Sequence, residues 1–148
     1  MRHLRSFCTA TASLLAVLLC LVVPANATED KPMQITVSTN GVSIAYELND
    51  STASKELYAQ LPMTIEVEDY GGLEKIFYPP NKLATSDTPL VKKANVGTLA
   101  YYAPWGDVVM FYKGFGSASG LYELGHAVSG ADQITSLSGT IQIEKSGD

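Results

Sequence analysis

The sequence contains little cysteine, and what it contains lies near its start. Cys8 and Cys20 both precede residue 28, so the rest of the chain has no thiol. This excludes disulfide bonds, a cysteine nucleophile and cysteine-ligated metal from residues 28–148. Histidine is equally scarce, because His126 is the only one after residue 27. A single histidine without cysteine does not make a zinc site, so we expect no metal and no cofactor.

Arginine is also missing from most of the chain. Arg2 and Arg5 are the only two, and both lie in the first 27 residues. From residue 28 onward, eight lysines face fifteen acidic side chains, which gives a formal net charge of −7. Because an acidic surface repels polyanions, we expect neither nucleic acid nor an anionic membrane as a partner.

The one long apolar run, LLAVLLCLVV, has ten residues and is too short to span a membrane, which takes about 20. A basic segment precedes it, and Ala25 and Ala27 follow it at the small-residue positions of an A-x-A cleavage site. The pattern predicts a signal peptide over residues 1–27 and an exported protein, periplasmic or secreted, with no membrane span after cleavage. The alternative is a lipoprotein signal ending at Cys20, but Leu19 before it is bulkier than such signals usually accept.

The remainder has the length of one domain with one hydrophobic core. Residues 28–33 are polar and predict a flexible lead-in. We expect the domain itself to cover residues 34–145.

Alternation of apolar and polar residues dominates this domain. Asn40-Gly41 between two alternating runs predicts a β-hairpin with a type I′ turn. Candidate N-caps at 49–52, helical spacing to Leu61 and a closing Pro62 predict one helix, and a second short helix is predicted with its cap near Ser129. In total the sequence predicts a mainly β protein with about eight short strands and two short helices. Short strands with frequent turn signals favour a closed barrel, which leaves no exposed sheet edges.

Three motifs, LAYYAPWG, FYKGFG and LYELG, resemble those of the bacterial cyclophilin-like domain family. The resemblance covers residues 34–144, and it implies a closed eight-stranded cyclophilin-like β-barrel with helices capping its ends. One position departs from the family pattern, since Thr98 follows Gly97 where members usually carry an acid. The loop before Thr98 is therefore expected to be held differently.

The resemblance also raises an enzymatic alternative, because true cyclophilins are peptidyl-prolyl isomerases of the same fold. They lower a barrier of about 18–20 kcal/mol with an apolar proline pocket and an arginine that binds the twisting amide. Without that arginine, a weak isomerase is the second hypothesis, and we assign no catalytic residue. A Ser–His–Asp hydrolase using Ser117 or Ser119 with His126 and Asp107 lacks a nucleophile-elbow motif.

The preferred hypothesis is a non-catalytic module that binds a peptide or a small apolar ligand. It depends on the segment YYAPWGDVVMFYKGFG, which is rich in aromatic residues in a chain that is 9% aromatic. Side chains alternate along a strand, so about half of these rings pack in the core and the others face a surface groove. The candidate groove residues are Tyr78, Tyr101, Tyr102, Phe111, Phe115, Ser117, Ser119 and Tyr122. Two alternatives stay open: core packing of most of these rings, and an accessory partner domain.

Overall fold

A computed structural model describes residues 30–147 of the chain. The predicted signal peptide and the first two residues of the lead-in lie outside the described residues. Within them, no helix is both long enough and apolar enough to cross a membrane.

The part of the chain that the structure describes contains eight strands and two helices. The strands are β1 (Gln34–Thr39), β2 (Val42–Leu48), β3 (Met63–Tyr70), β4 (Glu74–Phe77), β5 (Thr98–Tyr102), β6 (Asp107–Phe111), β7 (Leu121–Ser129) and β8 (Gly139–Ser146). Helix α1 covers Thr52–Ala59, and a 3₁₀ helix covers Ala131–Ser136. The predicted number and kind of elements are confirmed.

The strands form a closed antiparallel barrel in the order β1-β2-β7-β5-β6-β4-β3-β8. Closure depends on β8, which pairs with β1 on one side and with β3 on the other. Residues 34–38 thereby pair with residues 142–146, so the two ends of the domain meet in the sheet. The predicted eight-stranded barrel is confirmed.

Local sequence explains most of the element boundaries. Asn40 and Gly41 both have positive φ, 45° and 81°, as a type I′ turn requires. Ser51 caps α1, because its hydroxyl accepts a hydrogen bond from the amide of Ser54 at 3.3 Å. The second helix is a 3₁₀ helix whose cap is Gly130 in the left-handed region, at φ 74°, and it has no side-chain cap.

A side chain of β5 closes the turn before that strand. The hydroxyl oxygen of Thr98 accepts a hydrogen bond from the amide of Asn95 at 3.0 Å. A neutral side chain therefore holds the end of this loop.

The sheet separates two hydrophobic cores. The larger core receives side chains from all eight strands and fills the barrel, with Tyr46 and Tyr101 among its fully buried members. The smaller core lies on the outside of β4, β5, β6 and β7, where segments of the connecting loops cover it. Its buried residues are Ile76, Val91, Ala94, Ala100, Val109, Phe111 and Leu121. Alternate residues of one strand thus serve different cores: Val108 and Met110 pack inside, and Val109 and Phe111 outside.

Candidate functional site

A cavity of about 240 Å³ opens over the outer core. This size lies just below the usual range of small-molecule sites, about 300–1,000 Å³. Its lining is mostly apolar and aromatic, with two acids, and consists of Tyr70, Gly71, Leu73, Glu74, Tyr102, Trp105, Asp107, Val109, Phe111, Phe115, Ala118 and Leu121.

Strand pairing explains why the two acids share one cavity. Asp107, Val109 and Phe111 alternate along β6, so their side chains leave the same face of the sheet. Glu74 pairs with Phe111 across the β4–β6 ladder and lines the same cavity from the neighbouring strand. The two carboxyl groups therefore lie on one face, toward opposite ends of β6.

Aromatic rings form the floor and one wall of the cavity. Phe111 and Phe115 stack with ring centroids 5.8 Å apart and planes within 9°. Trp105 meets two tyrosines edge to face, Tyr70 at 5.1 Å and Tyr102 at 5.6 Å. Pairs of this geometry gain about 0.5–1.5 kcal/mol beyond the burial of their area, which holds the rings in place.

Asp107 is a buried acid with one unpaired carboxyl oxygen. Its side chain belongs to a residue that is 1% exposed, and its Oδ1 has no hydrogen-bond partner among residues 30–147. Burial raises the pKa of Asp107, and a hydrogen bond to its own backbone opposes that effect in part. Burial also raises the pKa of Glu74, to about 7, and the negative charge of Asp107 adds to the shift. Both acids are thus held in a place that disfavours their negative charge.

Three of the predicted groove residues line this cavity: Tyr102, Phe111 and Phe115. Ser117 and Ser119 are exposed on the loop beside Ala118, which does line it. The other three predicted residues are not in the lining.

Tyr101 faces the barrel interior, where its hydroxyl oxygen accepts a hydrogen bond from the amide of Leu83 at 3.1 Å. Tyr78 is 46% exposed beyond the end of β4, outside the cavity lining. Tyr122 is half-buried and bridges to Leu90. The sequence-based groove therefore shares three residues with a cavity that is centred on Trp105 and β6.

The sequence-based groove also left out Tyr70, Glu74, Trp105 and Asp107. The sequence does indicate Asp107. It lies in the same alternating strand as Val109 and Phe111, at even spacings of two and four residues, and therefore faces the same side. For Tyr70 and Glu74 no local pattern indicates the cavity, because the β3–β4 turn brings them there.

The hydrolase triad is not assembled. Asp107 pairs with Tyr102 at one end of β5, and His126 pairs with Thr98 at the other. Four residues of strand separate these ends by about 13 Å. No group of three or more potential metal ligands comes together anywhere in residues 30–147.

The closed eight-stranded antiparallel barrel, with an apolar cavity on its outer face, defines a mainly β barrel protein. The model of the cyclophilin-like family matches residues 37–145, and the chain belongs to that family.

Structural comparison agrees on the fold. The chain is similar to the solution structure of the hypothetical protein AF2241 from Archaeoglobus fulgidus, with a TM-score of 0.59 and 16% sequence identity. The match covers 80% of this chain and 99% of that one. No curated protein matches the sequence.

Proposed function

We propose that this protein is an exported binding module whose outer-face cavity holds a small molecule or one side chain of a peptide without transforming it. Export rests on the basic, apolar and small-residue order of residues 1–27. Binding rests on the cavity.

One observation carries the binding proposal: three aromatic residues at the cavity, Tyr70, Trp105 and Phe115, are partly open to solvent. Trp105 is 47% exposed and Tyr70 is 46% exposed, although each packs against another ring. Exposed aromatic surface around a concave apolar site is characteristic of interaction sites. Phe115, stacked on the buried Phe111, extends the same surface.

The cavity chemistry does not favour the isomerase alternative. An isomerase of this fold needs a donor for the twisting amide, and arginine is the residue suited to that task. Among the described residues, the lining offers two carboxylic acids and no lysine. A binding role without catalysis fits such a lining better.

The test is a thermal-shift screen of the purified protein against small amphipathic molecules and short peptides. A compound that binds the native state raises the melting temperature in proportion to RT ln(1 + [L]/Kd). We expect hits that Ala118→Phe abolishes, because the added ring fills the cavity from its loop side.

Ser119→Phe is the matched control, since it places the same ring one residue away on an exposed position outside the lining. Hits that survive Ala118→Phe as well as Ser119→Phe would remove the cavity as the binding site. Turnover of a proline-containing peptide clearly above the spontaneous rate would replace binding with isomerisation.

A further inference from the structure

We propose that the ligand of this cavity is an organic ammonium ion that packs against the Trp105 wall and is attracted by the negative charges of Asp107 and Glu74. The inference rests on the proposed binding function and adds the chemical class of the ligand.

The charge of the lining is the first argument. Two acids face one cavity from β4 and β6, and no lysine or histidine accompanies them in that lining, which is drawn from residues 30–147. A buried carboxylate without a partner is costly, and proteins pair such groups with a cation or a donor. Asp107 Oδ1 has no hydrogen-bond partner among the described residues, and Asp107 lines the cavity together with Val109 and Phe111. A cation in the cavity offsets the charge of this acid.

The aromatic wall is the second argument, and it is independent of charge. The rings of Tyr70 and Tyr102 stand nearly perpendicular to Trp105, at 89° and 74°. Rings set at steep angles around a corner present faces as well as edges to the space between them. Tryptophan and tyrosine faces attract ammonium groups, and quaternary ammonium ions are commonly recognised by such aromatic cages.

The electrostatic coupling of the two acids supports the same conclusion. The charge of Asp107 contributes to the raised pKa of Glu74, so the two groups repel each other across the cavity. A positive charge placed between them lowers that repulsion and favours the ionised form of both. A neutral apolar guest does the opposite, because it displaces water from both acids.

The volume of the cavity and the side chains of its lining favour an ammonium ion over a metal ion. A cavity of about 240 Å³ has room for an ammonium head with several carbon atoms. Calcium takes six to eight oxygen ligands, and the lining supplies two carboxyl groups among mostly apolar side chains. The lining therefore suits an alkylated nitrogen rather than a bare cation.

The experiment compares two pairs of related ligands whose members differ in charge. Choline is measured against 3,3-dimethylbutan-1-ol, its neutral carbon isostere, by calorimetric titration. The peptide acetyl-Gly-Lys-Gly-amide is measured against the same peptide acetylated at the lysine nitrogen. The first pair tests a free small ammonium ion and the second a peptide side chain. We expect the charged member of at least one pair to bind about tenfold more tightly or better, with an affinity that falls as salt is added.

Three variants locate the interaction. Asp107→Asn keeps the shape of the side chain and removes its charge, so it is expected to reduce the preference for the charged member at least fivefold while the neutral member binds as before. Glu74→Gln is expected to act in the same direction. Trp105→Leu is expected to weaken the charged member more than the neutral one. Glu144→Gln, an exposed acid on β8, is the control and should change neither affinity.

The possible outcomes separate this inference from the broader one. Equal binding of the charged and neutral members overturns the ammonium proposal and leaves a cavity that binds small molecules. Binding of neither member also overturns it, and the thermal-shift screen with Ala118→Phe then decides the binding function by itself. A charge preference that survives both Asp107→Asn and Glu74→Gln places the cation elsewhere and overturns the assigned site.

Discussion

At the scale of single residues, Glu74 gives the molecule a pH dependence near neutrality. The titratable groups coupled to it are Asp107, whose charge raises its pKa, and Tyr112, whose own pKa Glu74 helps to raise. Its folded-state pKa of about 7 lies above the ordinary value of 4.5. Between these values the folded state holds a proton that the unfolded chain has released. Stability therefore falls as pH rises through this window.

The variant Glu74→Gln removes this titrating carboxyl group. The unfolding free energy of the variant should therefore depend less on pH. We expect it to be more stable than the unaltered protein at pH 8 by about 1 kcal/mol, a figure reduced because Glu74 is only half-buried. Near pH 4 the two proteins should differ little, since the carboxyl group is then protonated in both states. Urea unfolding at pH 4, 6 and 8 measures the difference.

Glu144→Gln serves as the comparison, because it removes one negative charge from an exposed site on β8, two strands away from β4. Some decline with pH should remain in Glu74→Gln, since burial also raises the pKa of Asp107. An unchanged slope in Glu74→Gln would mean that Glu74 titrates like an exposed acid.

At the scale of elements, alternation along the chain predicts the strands and divides their faces. It separates Tyr101 from Tyr102, and the structure places the first inside the barrel and the second at the outer cavity. Alternation does not say which face is which, so both Tyr101 and Tyr102 entered the predicted groove. Alternation also does not show that β4 pairs with β6, and this pairing is what brings Glu74 to the cavity. The barrel was thus predictable from local pattern, while the acids of the site depend on register between strands.

Gly125 marks a close approach between β2 and β7. A Cβ atom built on it would lie 2.0 Å from the backbone oxygen of Glu47. Glycine inside a strand often marks such a contact. We expect Gly125→Ala to lose about 2 kcal/mol or more of unfolding free energy, because backbone rather than a flexible side chain blocks the methyl group. Denaturant unfolding monitored by Trp105 fluorescence checks this.

Gly116→Ala is the matched control for that substitution. A Cβ at Gly116 meets nothing within 4 Å, and the residue is not among those with positive φ. Its stability should change by less than about 0.5 kcal/mol. If Gly125→Ala lost as little unfolding free energy as Gly116→Ala, β2 and β7 would be able to move apart at Gly125 without a measurable cost.

At the scale of the whole molecule, closure of the barrel depends on β8, which pairs with both β1 and β3. Ending the chain after Leu137 removes β8 and leaves β1 and β3 each with an unpaired edge. Unpaired edges are templates for association between chains. We expect this shortened protein to lose its cooperative melting transition and to elute as aggregates in size-exclusion chromatography.

Removing only residues 147 and 148 leaves every pair of β8 in place and provides the comparison. That protein should melt cooperatively near the temperature of the full chain. A monomeric, cooperatively melting protein without β8 would contradict the view that closure holds the fold together.

The position of the cavity on the outside of the sheet also bears on how this family can diverge. The residues that fill the barrel, such as Val108 and Met110, alternate with those that shape the cavity, such as Asp107, Val109 and Phe111. The residues that fill the barrel can therefore stay the same in evolution while the residues that shape the cavity change, one position at a time. Homologous barrels of the same architecture should consequently differ in the chemistry of this cavity. A comparison of the residues equivalent to Glu74, Trp105 and Asp107 would sort such homologues by cavity chemistry better than overall similarity does.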